Sequence, residues 1–299
     1  MSKLIRCITS DGAVMATAIN STEIVAEAER LHKTSAVVTA ALGRLLTAAS
    51  MMGNMLKGEK DTLTVKIDGK GPAGAITAVA DSRGFVRGCA VNPVVEIPLK
   101  ENGKLDVSGA VGTDGNVFVI KDLGLKEPYN GFVPIVSGEI AEDITSYYAV
   151  SEQIPTVCAL GVLVNPDLTV KNAGGYIIQL LPAADESTIC RLEENLKTAR
   201  SVTEQLDEGK DILDIVKSIL DGFEVEVLDE NEVGYKCLCS RERTEKIIAS
   251  LNTSELESIA KEEESAEIKC SFCGKSYVFS REEIQKIINQ KKLKKTLDK

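Results

Sequence analysis

Four cysteines near the C-terminal end of the chain limit what that region can fold into. They stand in two close pairs, Cys237-Leu238-Cys239 and Cys270-Ser271-Phe272-Cys273, which follow the patterns C-x-C and C-x-x-C. Four thiolates in two such pairs can hold one zinc ion in a closed tetrahedral site. The same side chains can instead form two local disulfides. The pattern therefore predicts a site with two chemical states, which makes it a candidate redox switch.

The region around these cysteines, predicted to form a C-terminal module over residues 231–299, is small and rich in charged side chains. A hydrophobic core of that size is marginal without a cross-link. Structural zinc contributes roughly 10–16 kcal/mol of apparent binding free energy in small zinc modules. Because four sulfur ligands leave no open coordination position, we expect a structural or regulatory metal and no hydrolytic chemistry.

The C-x-C pair favours a switch over a permanent cross-link. A zinc-bound thiolate stays nucleophilic and therefore reacts with peroxides. Oxidation would join Cys237 to Cys239 and Cys270 to Cys273, and the metal would be released. A disulfide across C-x-C closes a very short loop, so we expect it to be strained and easily reduced. The alternative that the residues leave open is a structural zinc knuckle without a sensing role.

Composition argues against nucleic acid as a partner. The net charge is −10, aromatic residues make up only 4% of the chain, and tryptophan is absent. A long nucleic-acid groove needs a basic face, and base stacking needs aromatic rings. The lysine-rich C-terminus is interpreted as a solvated helix end. Its lysines are Lys291, Lys292, Lys294, Lys295 and Lys299.

The sequence also indicates where the protein is located. No apolar run approaches the length of a membrane span, and the N-terminus has no apolar stretch typical of a secretory signal. We therefore expect a cytoplasmic protein that does not bind membranes, in a compartment where thiols are reduced by default.

The sequence does not indicate an enzyme active site. His32 is the only histidine, so it would have to serve every histidine-dependent mechanism. The segment Gly69–Gly74 matches G-x-G-x-x-G, but Pro72 interrupts it and a strand pattern follows, so we interpret it as a β-turn. Ser151 has no evident histidine partner. An enzyme would therefore need a pocket with convergent polar groups near His32, Ser151 and Glu152.

Hydrophobic periodicity predicts an α+β chain in three parts. Residues 1–182 are predicted to form a core domain of mixed sheet and helix, residues 183–230 a helical linker, and residues 231–299 the cysteine module. The linker helices combine heavy charge with thin apolar faces, so we expect the linker to dock conditionally. Helices are predicted over 21–56 with a break near Lys33, 140–153, 185–221, 240–251 and 253–261, and from 280 on. Strands are predicted over 4–19 as a hairpin, 62–67, 75–80, 85–91, 117–121, 132–137, 156–164, 174–181, 223–228, 266–268 and 277–279.

Several segments resemble the redox-regulated 33 kDa chaperonin family, the bacterial heat-shock holdases. The most specific similarity is the C-x-C and C-x-x-C arrangement, in which all four metal positions are present. Looser similarities extend the resemblance over nearly the whole chain. They are found in the segments Ile67–Gly74, Tyr147–Gln153 and Gly174–Pro182.

The resemblance implies a chaperone that holds unfolding proteins without ATP, and no enzyme. In the reduced, weakly active state, Cys237, Cys239, Cys270 and Cys273 would bind one zinc ion. Oxidation would form the disulfides Cys237–Cys239 and Cys270–Cys273, release zinc and unfold the module and the linker. Apolar surface would then bind unfolded or misfolded clients, and homodimers would form.

An alternative function is a constitutive RNA- or ribosome-binding protein. In that case the cysteines would form a structural zinc knuckle and the basic tail would contact the nucleic acid. Such a protein should bind nucleic acid with a steep salt dependence and without sensitivity to mild oxidants.

Overall fold

A computed structural model describes residues 2–297 of the protein, with side chains described up to residue 292. The chain divides into two compact units, residues 1–236 and residues 237–299. Both units combine helices with antiparallel strands, which confirms the predicted α+β class. The segment 183–230 lies within the first unit, so its separate status as a linker remains a prediction.

Strands and helices of the first unit follow each other along the chain, and a single π-helical turn, Tyr148–Glu152, comes directly after its fourth helix. In chain order the strands and helices are β1 (Ser2–Thr9), β2 (Val14–Asn20), α1 (Thr22–His32), α2 (Ala36–Asn54), β3 (Thr62–Asp68), β4 (Ile76–Asp81), β5 (Val86–Ala90), α3 (Val107–Val111), β6 (Asn116–Asp122), β7 (Tyr129–Pro134), α4 (Ala141–Tyr147), β8 (Thr156–Val164), β9 (Val170–Leu180), α5 (Glu186–Thr198), α6 (Val202–Asp207), α7 (Ile212–Ile219) and β10 (Val225–Val233).

Within the described residues, the strands of the first unit form two antiparallel sheets. The first sheet has the order β10-β1-β2-β9-β8, and the second has the order β5-β4-β3-β6-β7. The predicted hairpin near the N-terminus is confirmed, since β1 and β2 pair from Lys3 opposite Asn20 to Ile8 opposite Met15. Strand β10 follows the three helices α5 to α7 and returns to the edge of the first sheet beside β1.

Helix α2 is the central element of the larger core. It begins after the predicted break, where Lys33 adopts a left-handed conformation with φ 52° and ends α1. By length and composition the helix could cross a membrane, so the expectation that no segment approaches that length is wrong for Ala36–Asn54. Because 89% of its most apolar window is buried inside the protein, α2 is a core helix. No other described helix is both long and apolar enough to cross a membrane.

Helices α6 and α7 cover one face of the first sheet. Ile212, Ile215 and Val216 of α7 are buried against sheet residues such as Ile5 and Ile178. This arrangement follows from the apolar stripe of α7, which places its buried residues on one side of the helix. The segment 202–220 is therefore firmly packed in the structure.

Helix α5 packs much less completely than α7. Its buried residues are Thr188 and Leu192, although the helix has 13 residues. An apolar cavity of about 280 Å³ lies between α5 and strands β8 and β9. The weaker packing means that α5 contributes little burial to hold the helical layer on the sheet. The cavity is lined by Ala149, Pro155, Thr156, Val157, Ile178, Leu180, Ile189, Leu192, Glu193 and Leu196.

The second unit has its own small core. Its described elements are α8 (Arg241–Ser250), α9 (Thr253–Glu262), β11 (Ser265–Lys269), β12 (Ser276–Ser280) and α10 (Arg281–Leu297). Strands β11 and β12, which contain the predicted strands 266–268 and 277–279, pair as an antiparallel hairpin. A capping box begins α10, because Ser280 Oγ accepts from the N–H of Glu283 at 3.3 Å and the Glu283 carboxylate accepts from the N–H of Ser280 at 2.9 Å. Among the described side chains of this unit, the buried apolar core consists of Ile248, Leu256, Ala260, Tyr277, Phe279, Ile284, Ile287 and Ile288.

Part of the lysine-rich terminus can be placed. Lys291 Nζ donates to the carbonyl oxygen of Ala249 at 2.6 Å, and Lys292 pairs with Glu257 at 2.6 Å. Lys291 is therefore held against the last turn of α8, whereas Lys292 forms an exposed ion pair, and the solvated helix end stays a prediction. The side chains of Lys294 and Lys295, and all of Lys299, lie outside the described residues.

Replacing Ile215 by alanine should loosen the helical layer, because the side chain is fully buried against the first sheet. We expect the free energy of unfolding to fall by about 2–5 kcal/mol. Limited proteolysis of the reduced protein should then cleave within residues 186–220 faster than in the wild type. The control Lys217→Ala, on the exposed side of the same helix, should change stability by less than about 0.5 kcal/mol. Equal cleavage of the two variants would contradict this prediction.

Candidate metal centre

The four predicted ligands come from two separate segments of the second unit. Cys237 and Cys239 lie in extended chain just before α8, whose first turn is capped by Ser240 accepting from the N–H of Arg243 at 3.2 Å. Cys270 and Cys273 lie in the turn that joins β11 to β12. The hairpin and the helix cap thus present the two cysteine pairs to each other.

The turn between β11 and β12 is a compact loop. The N–H of Cys270 donates to Lys275 O at 2.9 Å, and the N–H of Gly274 donates to Cys270 O at 2.8 Å. Gly274 has φ 71°, a left-handed conformation that glycine adopts without steric cost. This local folding brings the sulfur atoms of a C-x-x-C pair to the same side of the loop.

The sulfur atoms are arranged as one cluster. All four Sγ atoms lie within 4.8 Å of one another. Cys237 Sγ is 3.6 Å from Cys270 Sγ, and Cys239 Sγ is 3.4 Å from Cys273 Sγ. Ligands of a tetrahedral zinc ion at about 2.3 Å are about 3.8 Å apart, whereas a disulfide requires about 2.05 Å. None of these four cysteines forms a disulfide, and their spacing fits a single shared metal ion.

Hydrogen bonding makes the four thiols electrostatically unequal. Burial raises the pKa of Cys237 and of Cys273. Burial also acts to raise the pKa of Cys239, but hydrogen bonds from Tyr277 and the neighbouring thiols outweigh it and lower that pKa to about 7. The Tyr277 hydroxyl donates to Cys239 Sγ at 3.1 Å, and this bond raises the pKa of Tyr277 to about 12. Since metal ligation requires thiolates, the affinity for a metal should fall as the pH falls.

Two arginines that follow the C-x-C pair contact the segments that carry the cysteines. Arg241 donates to Val278 O at 3.0 Å, pairs with Glu283 at 2.7 Å and lies over the Phe279 ring at 4.5 Å. Arg243 donates to the carbonyl oxygen of Leu238 at 2.9 Å. These contacts tie the C-x-C segment to the hairpin that carries the second pair. Arg241 and Arg243 stand two and four residues after Cys239, but neither they nor Tyr277 belong to a sequence pattern that indicates a role at the cluster.

The remaining cysteines lie outside the cluster. Cys7, Cys89 and Cys158 fall in strands β1, β5 and β8, as predicted. Cys7 is fully buried, and Cys89 and Cys158 are half-buried as residues. Cys158 packs against the larger core, where burial raises the pKa of its thiol. Cys190 is exposed on α5.

The residues that an enzyme site would require form hydrogen bonds with neighbouring side chains. His32 Nε2 lies 3.3 Å from the hydroxyl of Tyr235. Ser151 Oγ lies 3.2 Å from the Tyr129 hydroxyl, and Glu152 accepts from Lys121 at 2.7 Å. The hydrogen bonds of His32 and of Ser151 therefore involve different partners.

The glycine-rich segment Gly69–Gly74 joins two antiparallel strands, β3 and β4, as predicted. The N–H of Gly71 donates to Val111 O at 2.9 Å, and the N–H of Ala73 donates to Ala110 O at 3.0 Å. The backbone N–H groups that would hold a pyrophosphate in a dinucleotide site are thus used within the protein.

Comparisons with known proteins agree with this arrangement. A family model described as Hsp33 protein matches residues 2–280. The 33 kDa chaperonin of Clostridioides difficile (strain 630) is 50% identical over 287 residues, which cover 96% of this chain and 98% of that protein. The 33 kDa chaperonin of Clostridium perfringens (strain SM101) is 47% identical over 290 residues, or 97% and 92% of the two chains. The crystal structure of the 33 kDa chaperonin from Thermotoga maritima aligns with a TM-score of 0.89 and 38% identity, covering 97% of this chain and 98% of that one.

The α+β fold, the four-thiol cluster and these relatives define the class of protein as a redox-regulated molecular chaperone. The chain belongs to the Hsp33 family. The resemblance seen in the sequence is therefore confirmed, and membership of a chaperone family favours a role other than catalysis.

Replacing Cys270 by serine should abolish stoichiometric zinc binding in the reduced protein. The loss of one thiolate opens the ligand set, and the apparent stabilisation of roughly 10–16 kcal/mol typical of structural zinc should largely disappear. Zinc content measured by mass spectrometry should fall from one ion per chain to a small fraction of that value. The control Cys190→Ser, at an exposed position outside the cluster, should keep full zinc content. Full zinc content in Cys270→Ser would contradict the assignment.

Replacing Tyr277 by phenylalanine should make the cluster more reactive. In the zinc-loaded protein the metal would keep Cys239 deprotonated, so its thiolate fraction would not change. Loss of the hydroxyl that donates to Cys239 Sγ would then only make that sulfur more nucleophilic. Thiol oxidation by hydrogen peroxide should accelerate by about threefold. Tyr129→Phe, which changes a tyrosine of the first unit, is the matched control. An unchanged or slower oxidation rate in Tyr277→Phe would show that the hydroxyl does not restrain the thiolate.

Proposed function

We propose that this protein is an ATP-independent holdase that is inactive while its cysteines bind one zinc ion and is activated by thiol oxidation. The observation that carries the proposal is the position of four sulfur atoms within 4.8 Å of one another, with the shortest contacts between the two pairs. Cys237, Cys239, Cys270 and Cys273 are the proposed metal ligands. Zinc is the proposed metal because four thiolates in a closed set suit it.

The bound metal would cross-link the C-x-C segment to the β11–β12 hairpin. This cross-link matters because the described side chains of the second unit form a small buried core of eight apolar residues. Without the shared ion, that core is the main remaining contribution to the stability of the unit.

Oxidation would remove the ligands in pairs. In each pair two thiolates give up two electrons to one hydrogen peroxide molecule, which takes up two protons and leaves as two water molecules. The proposed disulfides are Cys237–Cys239 and Cys270–Cys273. In the folded cluster the shorter contacts run between the pairs, but once the unit unfolds, closure within each pair requires the shortest loops and the least loss of entropy.

Unfolding would then extend into the segment 183–230. The packing of this segment supports the proposal, since α5 buries two of its residues beside an apolar cavity of about 280 Å³. Release of α5 to α7 would uncover sheet residues such as Ile5, Val14, Tyr176 and Ile178. This apolar surface is the proposed site for unfolded or misfolded clients.

The remaining features of the proposal concern location and assembly. The activated protein is proposed to form homodimers and to act in the cytoplasm, where thiols are normally reduced. Nucleic acid is not a proposed partner, in keeping with the net charge of −10. Catalysis is not part of the proposed activity.

Treatment with hydrogen peroxide should release zinc and activate the protein together. Aggregation of a thermally unfolding client should be suppressed by the oxidised protein and not by the reduced one, with zinc release followed by a chromophoric chelator. Peptide mapping should find disulfides within the pairs. Release of zinc without a gain in holding activity would contradict the proposed function. Salt-dependent RNA binding that oxidation leaves unchanged would favour the alternative of a constitutive RNA-binding protein.

A further inference from the structure

Strand β10 covers an edge that the first sheet would otherwise leave open. It pairs antiparallel with β1 from Ser2 opposite Val233 to Thr9 opposite Val225, with one irregularity between Arg6 and Cys7. Because β1 lies between β10 and β2, release of the chain up to residue 230 would free main-chain donors and acceptors of β1 from Ile5 to Thr9, which pair with Val225–Glu230. Such an edge can pair with an extended segment of another chain.

The two strands differ sharply in composition. Over Val225–Val233, β10 carries four carboxylates, at Glu226, Asp229, Glu230 and Glu232. Charged side chains on an edge strand hinder the addition of a further strand. Strand β1, with the sequence SKLIRCIT, is mostly apolar or β-branched and carries two cations. The covered strand is therefore well suited to strand addition, and the covering strand is not.

The cations of β1 are matched by acids of the segment that covers them. Arg6 stands opposite Asp229 in the register and pairs with it at 3.4 Å. Lys3 pairs with Glu230 at 3.1 Å and with Asp211, which caps α7, at 3.6 Å. All three carboxylates lie within residues 183–230, the segment proposed to be released. Release would leave Lys3 and Arg6 without these partners.

We propose that β10 is an internal substitute for a client. When the segment is released, the edge of β1 accepts an extended stretch of an unfolding protein by antiparallel strand addition, and acidic side chains of that stretch pair with Lys3 and Arg6. The inference rests on the proposed function, because it requires oxidation to release β10. Main-chain hydrogen bonds would supply part of the affinity, and these do not depend on the client's sequence.

Hydrogen exchange read out by mass spectrometry tests the proposal on the wild-type protein. Amides of residues 5–9 that donate to β10 should be protected in the reduced protein and exposed after oxidation, whereas those that donate to β2 should stay protected. The exposed amides should become protected again when a permanently unfolded acidic protein, reduced and carboxymethylated α-lactalbumin, is added. Protection of the amides facing β10 that persists after oxidation would overturn the inference, as would exposure of these amides that persists in the client complex. Holding activity measured in the same samples separates either result from failure of the proposed function.

A labelled peptide with the sequence of residues 223–234 provides a direct probe of the edge. It should bind the oxidised protein, fail to bind the reduced protein, and be displaced by the unfolded α-lactalbumin. A peptide with the same composition in scrambled order is the control. Equal binding of the two peptides, or no binding of either, would overturn the inference.

The pairing of Lys3 and Arg6 with acidic side chains can be tested by exchanging the charges of the peptide and of β1. A peptide in which the residues equivalent to Asp229 and Glu230 are lysine should bind the oxidised wild type about tenfold more weakly. The double variant Lys3→Glu, Arg6→Glu should reverse this preference. The wild-type measurement needs no protein variant and therefore stands even if the double variant does not fold. Equal affinity of both peptides for the wild type would show that Lys3 and Arg6 do not select the added strand.

Discussion

The contact between sulfur atoms of two distant segments is the interaction on which the second unit depends. Cys237 and Cys239 meet Cys270 and Cys273 across separations of 3.6 and 3.4 Å. The surrounding elements, a hairpin and three helices, bury few apolar side chains of their own. A shared ion would therefore have a large effect on stability here, whereas in a larger core it would add little. The thiolates that would hold the ion are also the groups that an oxidant would attack, so in the proposed function structural support and sensing depend on one set of atoms.

In the first unit, helices α5 to α7 form the layer that loss of the metal would release. Its larger core, built around α2, involves both sheets and does not use α5 to α7. The second core lies between the first sheet and those helices, and α7 supplies far more of it than α5 does. Loss of the helical layer would thus expose the face of a sheet without removing the core that holds the sheet together. This separation is what allows a chaperone to uncover a binding surface and remain folded.

Much of this architecture is readable in the sequence because it depends on local patterns. The hairpins β1–β2 and β11–β12, the break at Lys33 and the capping box at Ser280 follow from turn residues, alternation and capping chemistry. The length and hydropathy of helix α2 would also suit a membrane span, because a helix buried in a protein core and a helix in lipid are built from the same apolar residues.

Long-range pairing is much harder to predict. A strand is indicated by the alternation at 223–228, but the return of Val225–Val233 to the edge of β1 joins residues more than two hundred positions apart. The C-x-C and C-x-x-C spacing predicts that four thiols share one site. The contact of Tyr277 with Cys239 depends on how the hairpin is placed against the C-x-C segment, and residue spacing alone does not contain that information.

The central claim is that the state of the four cysteines controls the folding of residues 183–230. Hydrogen exchange of α5, α6 and α7, followed in time with zinc content after addition of peroxide, tests this claim most directly. The account predicts that protection of these helices is lost as zinc is released and returns when the disulfides are reduced and zinc is restored, while α2 stays protected throughout. Helices α5 to α7 that keep full protection after complete zinc release would contradict it.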